Sequence, residues 1–176
     1  MVQIHPFAQE GDALKLVLIT PRTGFDGISW ESLAYGYIGA YIKKYLPDTK
    51  IEYYSGYFDP DDVILKGCRD ADVVGFSVTS PQLRHALRLT TQIRNIESTP
   101  LIVYGGVHPS AEPVKMLNYA DMVVIGEGER AMARILELNR TLTNELCNRI
   151  QQEAYIQNLD TIPYPDRELI KQERHI

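Results

Sequence analysis

The hydrophobic positions of this chain fall into five short continuous runs, separated by stretches with the spacing of amphipathic helices. Continuous apolar runs rich in β-branched residues are typical of strands that are covered on both faces. We therefore predict five buried strands, at Leu14–Thr20, Ile51–Tyr54, Val73–Val78, Leu101–Tyr104 and Met122–Ile125.

Helical stripes lie between these runs. One covers Ala34–Tyr45, and a second covers Leu83–Ile93. Ser80 is the expected N-cap of the second helix, with Pro81 at its first helical position. His85 is expected on the surface of that helix.

Two further helices are predicted, one from Asp59 to Gly67 and one from Glu129 onward. Strands that alternate with helices at this spacing indicate βαβ units and a parallel sheet with helices on both faces. Five strands favour an α/β, flavodoxin-like (Rossmann-type), doubly wound sheet of three layers with the order 2-1-3-4-5. Ligands of such sheets bind at the carboxyl ends of the strands, near the switch point between strands 1 and 3.

Turn-rich segments follow four of the predicted strands, and parallel topology places all four on one rim of the sheet. Each segment alone is also consistent with an ordinary turn. Together, their glycines would let a flat ligand approach the main chain, and their hydroxyls and helix-start N–H groups would bind amides, phosphates or carboxylates. The candidate binding residues are Pro21, Arg22, Thr23, Gly24, Ser77, Thr79, Ser80, Gly105, Gly106, Val107, His108, Pro109, Gly126, Glu127 and Gly128.

The spacing of these residues predicts neither a catalytic pair nor a metal site. His108 is the only histidine of the rim, and no second ligand stands beside it at the required spacing. Glu127 and Glu129 are also explained by the preference of carboxylates for helix starts.

The composition excludes several classes of protein. Of the 176 residues, 44% are hydrophobic and 23% charged, with 18 basic against 23 acidic side chains and a net charge of −5. This balance argues against a general nucleic-acid binder. Two cysteines argue against a disulfide framework and a cysteine-held zinc or iron–sulfur site. No apolar run approaches a membrane span and no leader is evident, so a cytoplasmic protein is expected.

Three blocks of the chain resemble the N-terminal cobalamin-binding domain of B12-dependent radical SAM proteins, and they occur in that family's order: Val74–Thr79, Tyr104–Ser110 and Val124–Glu129. The segment Leu159–Arg167 is similar to the connector that precedes the radical SAM barrel of these proteins. The resemblance covers roughly residues 14–138 and 158–170.

The resemblance implies that cobalamin lies flat across the rim, in contact with the candidate residues named above. The cobalt of such proteins carries a methyl group for transfer or assists other radical chemistry, and the radical arises at a [4Fe–4S] cluster in the following barrel. The segment after the first strand contains no histidine, so it lacks the Asp-x-His-x-x-Gly motif. We therefore expect cobalamin without a protein histidine below the cobalt.

The radical chemistry is expected to lie outside this sequence. Cys68 and Cys147 are 79 positions apart (147 − 68), so Cys-x-x-x-Cys-x-x-Cys is absent and no iron–sulfur cluster is expected here. Residues 1–140 are interpreted as the cobalamin-binding domain, and 141–176 as an extension toward a radical SAM domain in the full-length protein or in another chain. An apolar surface left by the missing barrel would favour a homodimer.

The segment between residues 139 and 157 departs from the family, which often has a short hairpin there. Four of its apolar residues have helical spacing and therefore predict a helix. They are Leu142, Leu146, Ile150 and Tyr155.

Three other functions stay open at this point. The segment Thr20–Gly24 is loosely similar to the phosphate loop of an FMN-binding, flavodoxin-like electron-transfer domain. A signalling receiver domain is disfavoured, because Pro21 and Ser77 occupy regions where its chemistry needs acidic residues. A non-catalytic remnant that only docks to another chain is the third.

Overall fold

The computed structural model describes residues 13–24, 33–98, 100–141 and 149–171. Within these residues, six parallel strands form one sheet in the order β2-β1-β3-β4-β5-β6. The strands are β1 (Lys15–Thr20), β2 (Lys50–Ser55), β3 (Val73–Ser77), β4 (Leu101–Gly105), β5 (Met122–Ile125) and β6 (Ile150–Gln152).

Helices cover both faces of this sheet, so the predicted three-layer α/β arrangement is confirmed. In the part of the chain that is described, they are α1 (Leu33–Tyr45), α2 (Asp61–Gly67), α3 (Leu83–Ile93), α4 (Val107–Ala111), α5 (Pro113–Met116) and α6 (Glu129–Thr141). Helices α1 and α6 pack together over one face. Helices α2, α3 and α5 contribute to the core on the other face.

The central strand β1 shows why the predicted runs are continuous rather than alternating. Leu16 and Leu18 belong to the core under α1 and α6, whereas Val17 and Ile19 belong to the opposite core. All four side chains are fully buried. Successive strand residues point to opposite faces, and a strand covered on both faces therefore needs apolar residues at every position.

The sheet has one strand more than the sequence predicts. Strand β6 adds to the free edge of β5 and places Ile150 opposite Val123. The expected helix is therefore wrong at Ile150 and at Tyr155, which lies in an irregular segment, while Leu142 and Leu146 lie outside the described residues. Pairing with β6 satisfies backbone groups that an exposed β5 edge would leave open. Residue spacing along one segment carries no information about such a distant partner.

The C-terminal segment returns across α1 and joins the core. The Asp166 N–H donates to the carbonyl of Gly36 at 2.9 Å, and the Asp166 carboxylate pairs with Lys43 at 2.5 Å. Ile170 is buried with the side chains of α1 and α6. The division at residue 140 stays a prediction, but residues beyond it contribute to both the sheet and the core.

No helix among the described residues is long and apolar enough to cross a membrane.

Candidate functional site

A cleft opens at the carboxyl ends of β1, β3, β4 and β5, between the sheet and helices α1 and α6. It holds about 520 Å³ of atom-free space, part of which is open to solvent. Its lining is mostly apolar side chains and glycines, among them Leu18, Ala34, Tyr35, Ile38, Gly75, Phe76, Val103, Val124 and Met132. Five candidate residues from the sequence complete the lining: Ser77, Gly105, Gly106, Gly126 and Gly128.

The loops after β1 and β3 are joined by one buried side chain, Gln82. Its Nε2 donates to the carbonyl of Pro21 at 2.7 Å, and its Oε1 accepts from the N–H of Thr79 at 3.0 Å. The expected N-cap Ser80 is wrong by one residue, because Thr79 precedes a 3-10 turn (Ser80–Gln82) and α3 begins only at Leu83. The Thr-x-x-Gln spacing of a capping box is the sequence signal that could have identified Gln82.

Two further side chains bind the backbone of the loop after β1. The Arg22 N–H donates to Nδ1 of His85 at 2.8 Å, and the Thr23 N–H donates to the hydroxyl of Tyr57 at 3.1 Å. Nε2 of His85 lies 3.1 Å from Oδ1 of Asp61. The side chain of His85 is only 5% exposed, so the expected surface position is wrong. Its partners come from the loop after β1 and from α2, which only the folded chain brings together.

Tyr35 of α1 occupies the switch point between β1 and β3. Its hydroxyl donates to the carbonyl of Ile19 and accepts from the N–H of Ser77 at 2.5 Å. Complete burial raises the pKa of Tyr35 far above its usual range, so the hydroxyl stays protonated and fills both roles. No sequence signal identified this residue, because its partners lie on two different strands.

The loop after β4 requires glycine at Gly106. Its φ is +94°, and an added Cβ would lie 2.8 Å from the backbone nitrogen of Val78. A Cβ on Gly105 would meet its nearest neighbour, Val124, at an ordinary 3.8 Å. The two glycines therefore differ. The backbone conformation at position 106 requires glycine, whereas Gly105 leaves space toward the cleft.

His108 joins the loops after β3 and β4. Its Nδ1 lies 2.9 Å from Oγ of Ser80, and its backbone N–H donates to the carbonyl of Val78. Nε2 of His108 is buried and has no hydrogen-bond partner among the described residues. On either side, Val107 is 70% exposed and Pro109 is buried.

The loop after β5 lies beside the loop after β4. The Gly126 N–H donates to Oγ of Ser110 at 3.3 Å, and Gly126 has a φ of +82° with open space where a Cβ would stand. Glu127 accepts from the N–H of Ile156 at 2.9 Å, so it anchors the segment after β6. Glu129, at the start of α6, has a buried carboxylate oxygen without a hydrogen-bond partner among the described residues, and burial raises its pKa.

The structure thus brings most candidate residues to one rim and gives several of them protein partners. Thr79, Ser80, Gly24 and Gly126 remain exposed there. Within the described ranges, no group of three or more His, Cys, Asp or Glu side chains could hold a metal ion.

Comparison with known proteins agrees with this architecture. A family model described as "B12 binding domain" matches residues 33–136, more than half of the chain. No match was found among curated proteins.

Solved structures of the cobalamin-dependent S-adenosylmethionine radical enzyme OxsB have a similar fold. The form with aqua-cobalamin and S-adenosylmethionine bound gives a TM-score of 0.71 at 19% identity and covers 92% of this chain. The form with aqua-cobalamin gives 0.68 at 20% identity over 92%, and the apo, selenomethionine-labelled form gives 0.65 at 20% over 91%. The matched part is 26%, 26% and 25% of those chains, so this chain spans about a quarter of their length. At these identities the likeness shows the fold. Together with the family match, it shows that the chain belongs to the B12-binding domain family.

Proposed function

We propose that this chain binds cobalamin with the corrin ring lying across the rim, over the loops after β1, β3, β4 and β5. The observation that carries the proposal is the meeting of these four loops above one largely apolar cleft. A flat macrocycle needs an open approach to the backbone, and apolar lining with a few polar groups is typical of cofactor sites.

The residues present fit such a ligand. Space is open where a Cβ of Gly126 would stand, and Gly105 leaves room toward the cleft. A corrin carries amide side chains around its edge. Thr79 and Ser80 are exposed, and their hydroxyl oxygens, which also contact Gln82 and His108, would accept hydrogen bonds from these amides. His108 contacts Oγ of Ser80 through its Nδ1 and would hold that hydroxyl toward the ligand.

We further propose that cobalamin is held without a protein histidine below its cobalt. The segment after β1 contains no histidine. Both ring nitrogens of the nearby His85 are engaged, one by Arg22 and the other by Asp61. Bound cobalamin would supply a cobalt centre that carries a methyl group or assists radical chemistry. The residues of this chain would bind and orient it and exclude water from the cleft.

Absorption spectroscopy tests the proposal directly. The purified chain is mixed with hydroxocobalamin, desalted and scanned for corrin absorption, and a parallel sample is treated with FMN. Retention of corrin at micromolar protein is the expected result. Loss of all corrin on desalting would overturn the proposal, and retention of flavin alone would favour the electron-transfer alternative.

The wider setting is also a proposal. Residues 1–140 would form the cobalamin-binding domain of a cytoplasmic, B12-dependent radical SAM system that performs methyl transfer or related chemistry. The barrel would belong to the full-length protein or to another chain, because Cys68 and Cys147 stand too far apart for the cluster motif. A radical SAM reading frame directly downstream of this gene would favour a barrel in another chain. Sedimentation at high concentration tests the predicted homodimer, which a strictly monomeric chain would exclude.

A further inference from the structure

The loop after β1 contains one peptide unit that is hydrogen-bonded at both ends by side chains. The carbonyl of Pro21 and the N–H of Arg22 belong to the same peptide plane. The carbonyl accepts from Nε2 of Gln82 at 2.7 Å, and the N–H donates to Nδ1 of His85 at 2.8 Å. These two bonds determine the orientation of the plane at the edge of the rim.

The bond to Arg22 determines which tautomer of His85 is present. A backbone N–H only donates, so Nδ1 must accept with its lone pair and Nε2 must carry the proton. Nε2 then donates to Oδ1 of Asp61 at 3.1 Å. The guanidinium of Arg22 donates to the same oxygen at 3.0 Å. Arg22, His85 and Asp61 thus form a closed ring of hydrogen bonds.

The groups around the imidazole oppose its protonation overall. Burial and the positive charges of Arg22 and Arg88 lower the pKa of His85, and Asp61 acts in the opposite direction without cancelling them. Arg88 also pairs with Asp61 at 2.6 Å. A proton on Nδ1 would face the Arg22 N–H directly and abolish their hydrogen bond.

The chain accommodates the imidazole ring closely. A Cβ on Gly56 would lie 2.6 Å from Cε1 of His85 and 3.0 Å from the backbone nitrogen of Arg22. Glycine at this position therefore lets the ring reach the loop after β1. A side chain at Gly56 would therefore collide both with the ring of His85 and with the peptide that the ring binds.

We propose that His85 is a positioning residue of the cobalamin site, which orients the Pro21–Arg22 peptide for the ligand only while its imidazole is neutral. This inference rests on the proposed function. His85 acts through Arg22 and does not itself touch the ligand. Cobalamin would bind a loop that is already ordered. The free-energy cost of ordering the loop would therefore not weaken its binding.

Affinity as a function of pH tests the inference. The full chain is titrated with cyanocobalamin between about pH 5 and 8, the range in which histidine changes charge. Wild-type affinity is expected to fall by about tenfold as His85 becomes protonated, the value of roughly one hydrogen bond.

Two variants separate positioning from general stability. His85→Asn keeps an acceptor near the position of Nδ1 but cannot titrate, so it should bind within about threefold of the wild type, with no pH dependence. His85→Phe loses the acceptor and should bind about tenfold more weakly at every pH. Equal pH dependence in the wild type and His85→Asn would overturn the inference.

A measurement without ligand distinguishes failure of this inference from failure of the proposed function. Nitrogen-15 NMR of the free chain should show His85 with an unprotonated Nδ1, and the Arg22 amide should titrate together with that ring. A protonated Nδ1 at neutral pH, or an Arg22 amide insensitive to it, would overturn the positioning role. Absence of cobalamin binding at about pH 8, with the Arg22 titration intact, would overturn the cobalamin assignment instead.

Discussion

The hydroxyl of Tyr35 lies 2.5 Å from the backbone nitrogen of Ser77 and also binds the carbonyl of Ile19, so one helix residue joins the ends of two strands. The strands β1 and β3 are neighbours in the sheet, and the strands that follow them in the chain, β2 and β4, lie on opposite sides of this pair. In folds of this class the ligand crevice opens at such a switch point. Tyr35 occupies it and thereby forms part of the wall of the cleft.

Tyr35→Phe should destabilise the chain by about 1–3 kcal/mol, because it leaves the buried N–H of Ser77 and the carbonyl of Ile19 without their partner. Urea denaturation followed by circular dichroism measures this change. Tyr45→Phe is the matched control, since Tyr45 lies on the same helix with its side chain 49% exposed. Equal stability of the two variants would show that the Tyr35 bridge contributes nothing.

The two neighbouring glycines after β4 should respond differently to alanine. Gly106→Ala should cost at least about 1–2 kcal/mol, since its φ of +94° is unfavourable for a residue with a Cβ. Gly105→Ala should change stability by no more than about 0.5 kcal/mol, because its Cβ would make ordinary contacts.

Cobalamin binding gives a second test of Gly105→Ala. If cobalamin lies beside Gly105, Gly105→Ala should retain less corrin after desalting although the variant is fully folded. Undiminished corrin retention by this variant would mean that the cleft next to β4 is not part of the cobalamin site.

His108→Ala should weaken cobalamin binding by up to about tenfold, because it removes the contact that holds the Ser80 hydroxyl. Ser80→Ala removes that hydroxyl itself and should weaken binding at least as much. Absorption titration gives both affinities, and thermal unfolding checks that both variants fold. Undiminished affinity of His108→Ala would show that this contact contributes nothing to the ligand site.

Folding stability should decline as the pH falls, in part because of His85. Burial and neighbouring arginines lower its pKa in the folded chain below the unfolded value of about 6.5. The stability contribution is therefore complete above about pH 6.5 and is lost as the pH falls from there through the folded pKa. Urea denaturation at a series of pH values measures the decline, and His85→Asn should show a shallower one. Identical slopes would contradict the burial of a neutral imidazole.

Ile170→Ala should destabilise the chain by about 2–5 kcal/mol, the usual effect of truncating a buried isoleucine. Ile170 is 1% exposed and packs in the core with α1 and α6, whereas Leu159, in the same segment, is 68% exposed. Leu159→Ala is therefore the control and should stay within about 0.5 kcal/mol of the wild type. Similar small effects of both changes would show that the C-terminal segment does not dock on the domain.

The parts of the site that could be predicted are those that depend on one segment at a time. Apolar runs predicted the five strands β1 to β5, and parallel topology then placed Gly105, Gly106 and His108 on one rim. His85 and Gln82 were not recognised, because each acts through a backbone group of the loop after β1, more than 60 residues away. The capping-box spacing of Thr79 and Gln82 was visible in the sequence, but the hydrogen bond from Gln82 to the carbonyl of Pro21 was not.

The sequence by itself determined the α/β class, the positions of the buried strands and the family resemblance. These follow from local periodicity and from short motifs in a defined order, which the chain carries before it folds. Only the tertiary structure decided that β6 extends the sheet, that Tyr35 fills the switch point and that His85 is buried against Arg22. Each of these depends on hydrogen bonds between segments far apart in the chain, and such partners become neighbours only when the two hydrophobic cores form around the sheet.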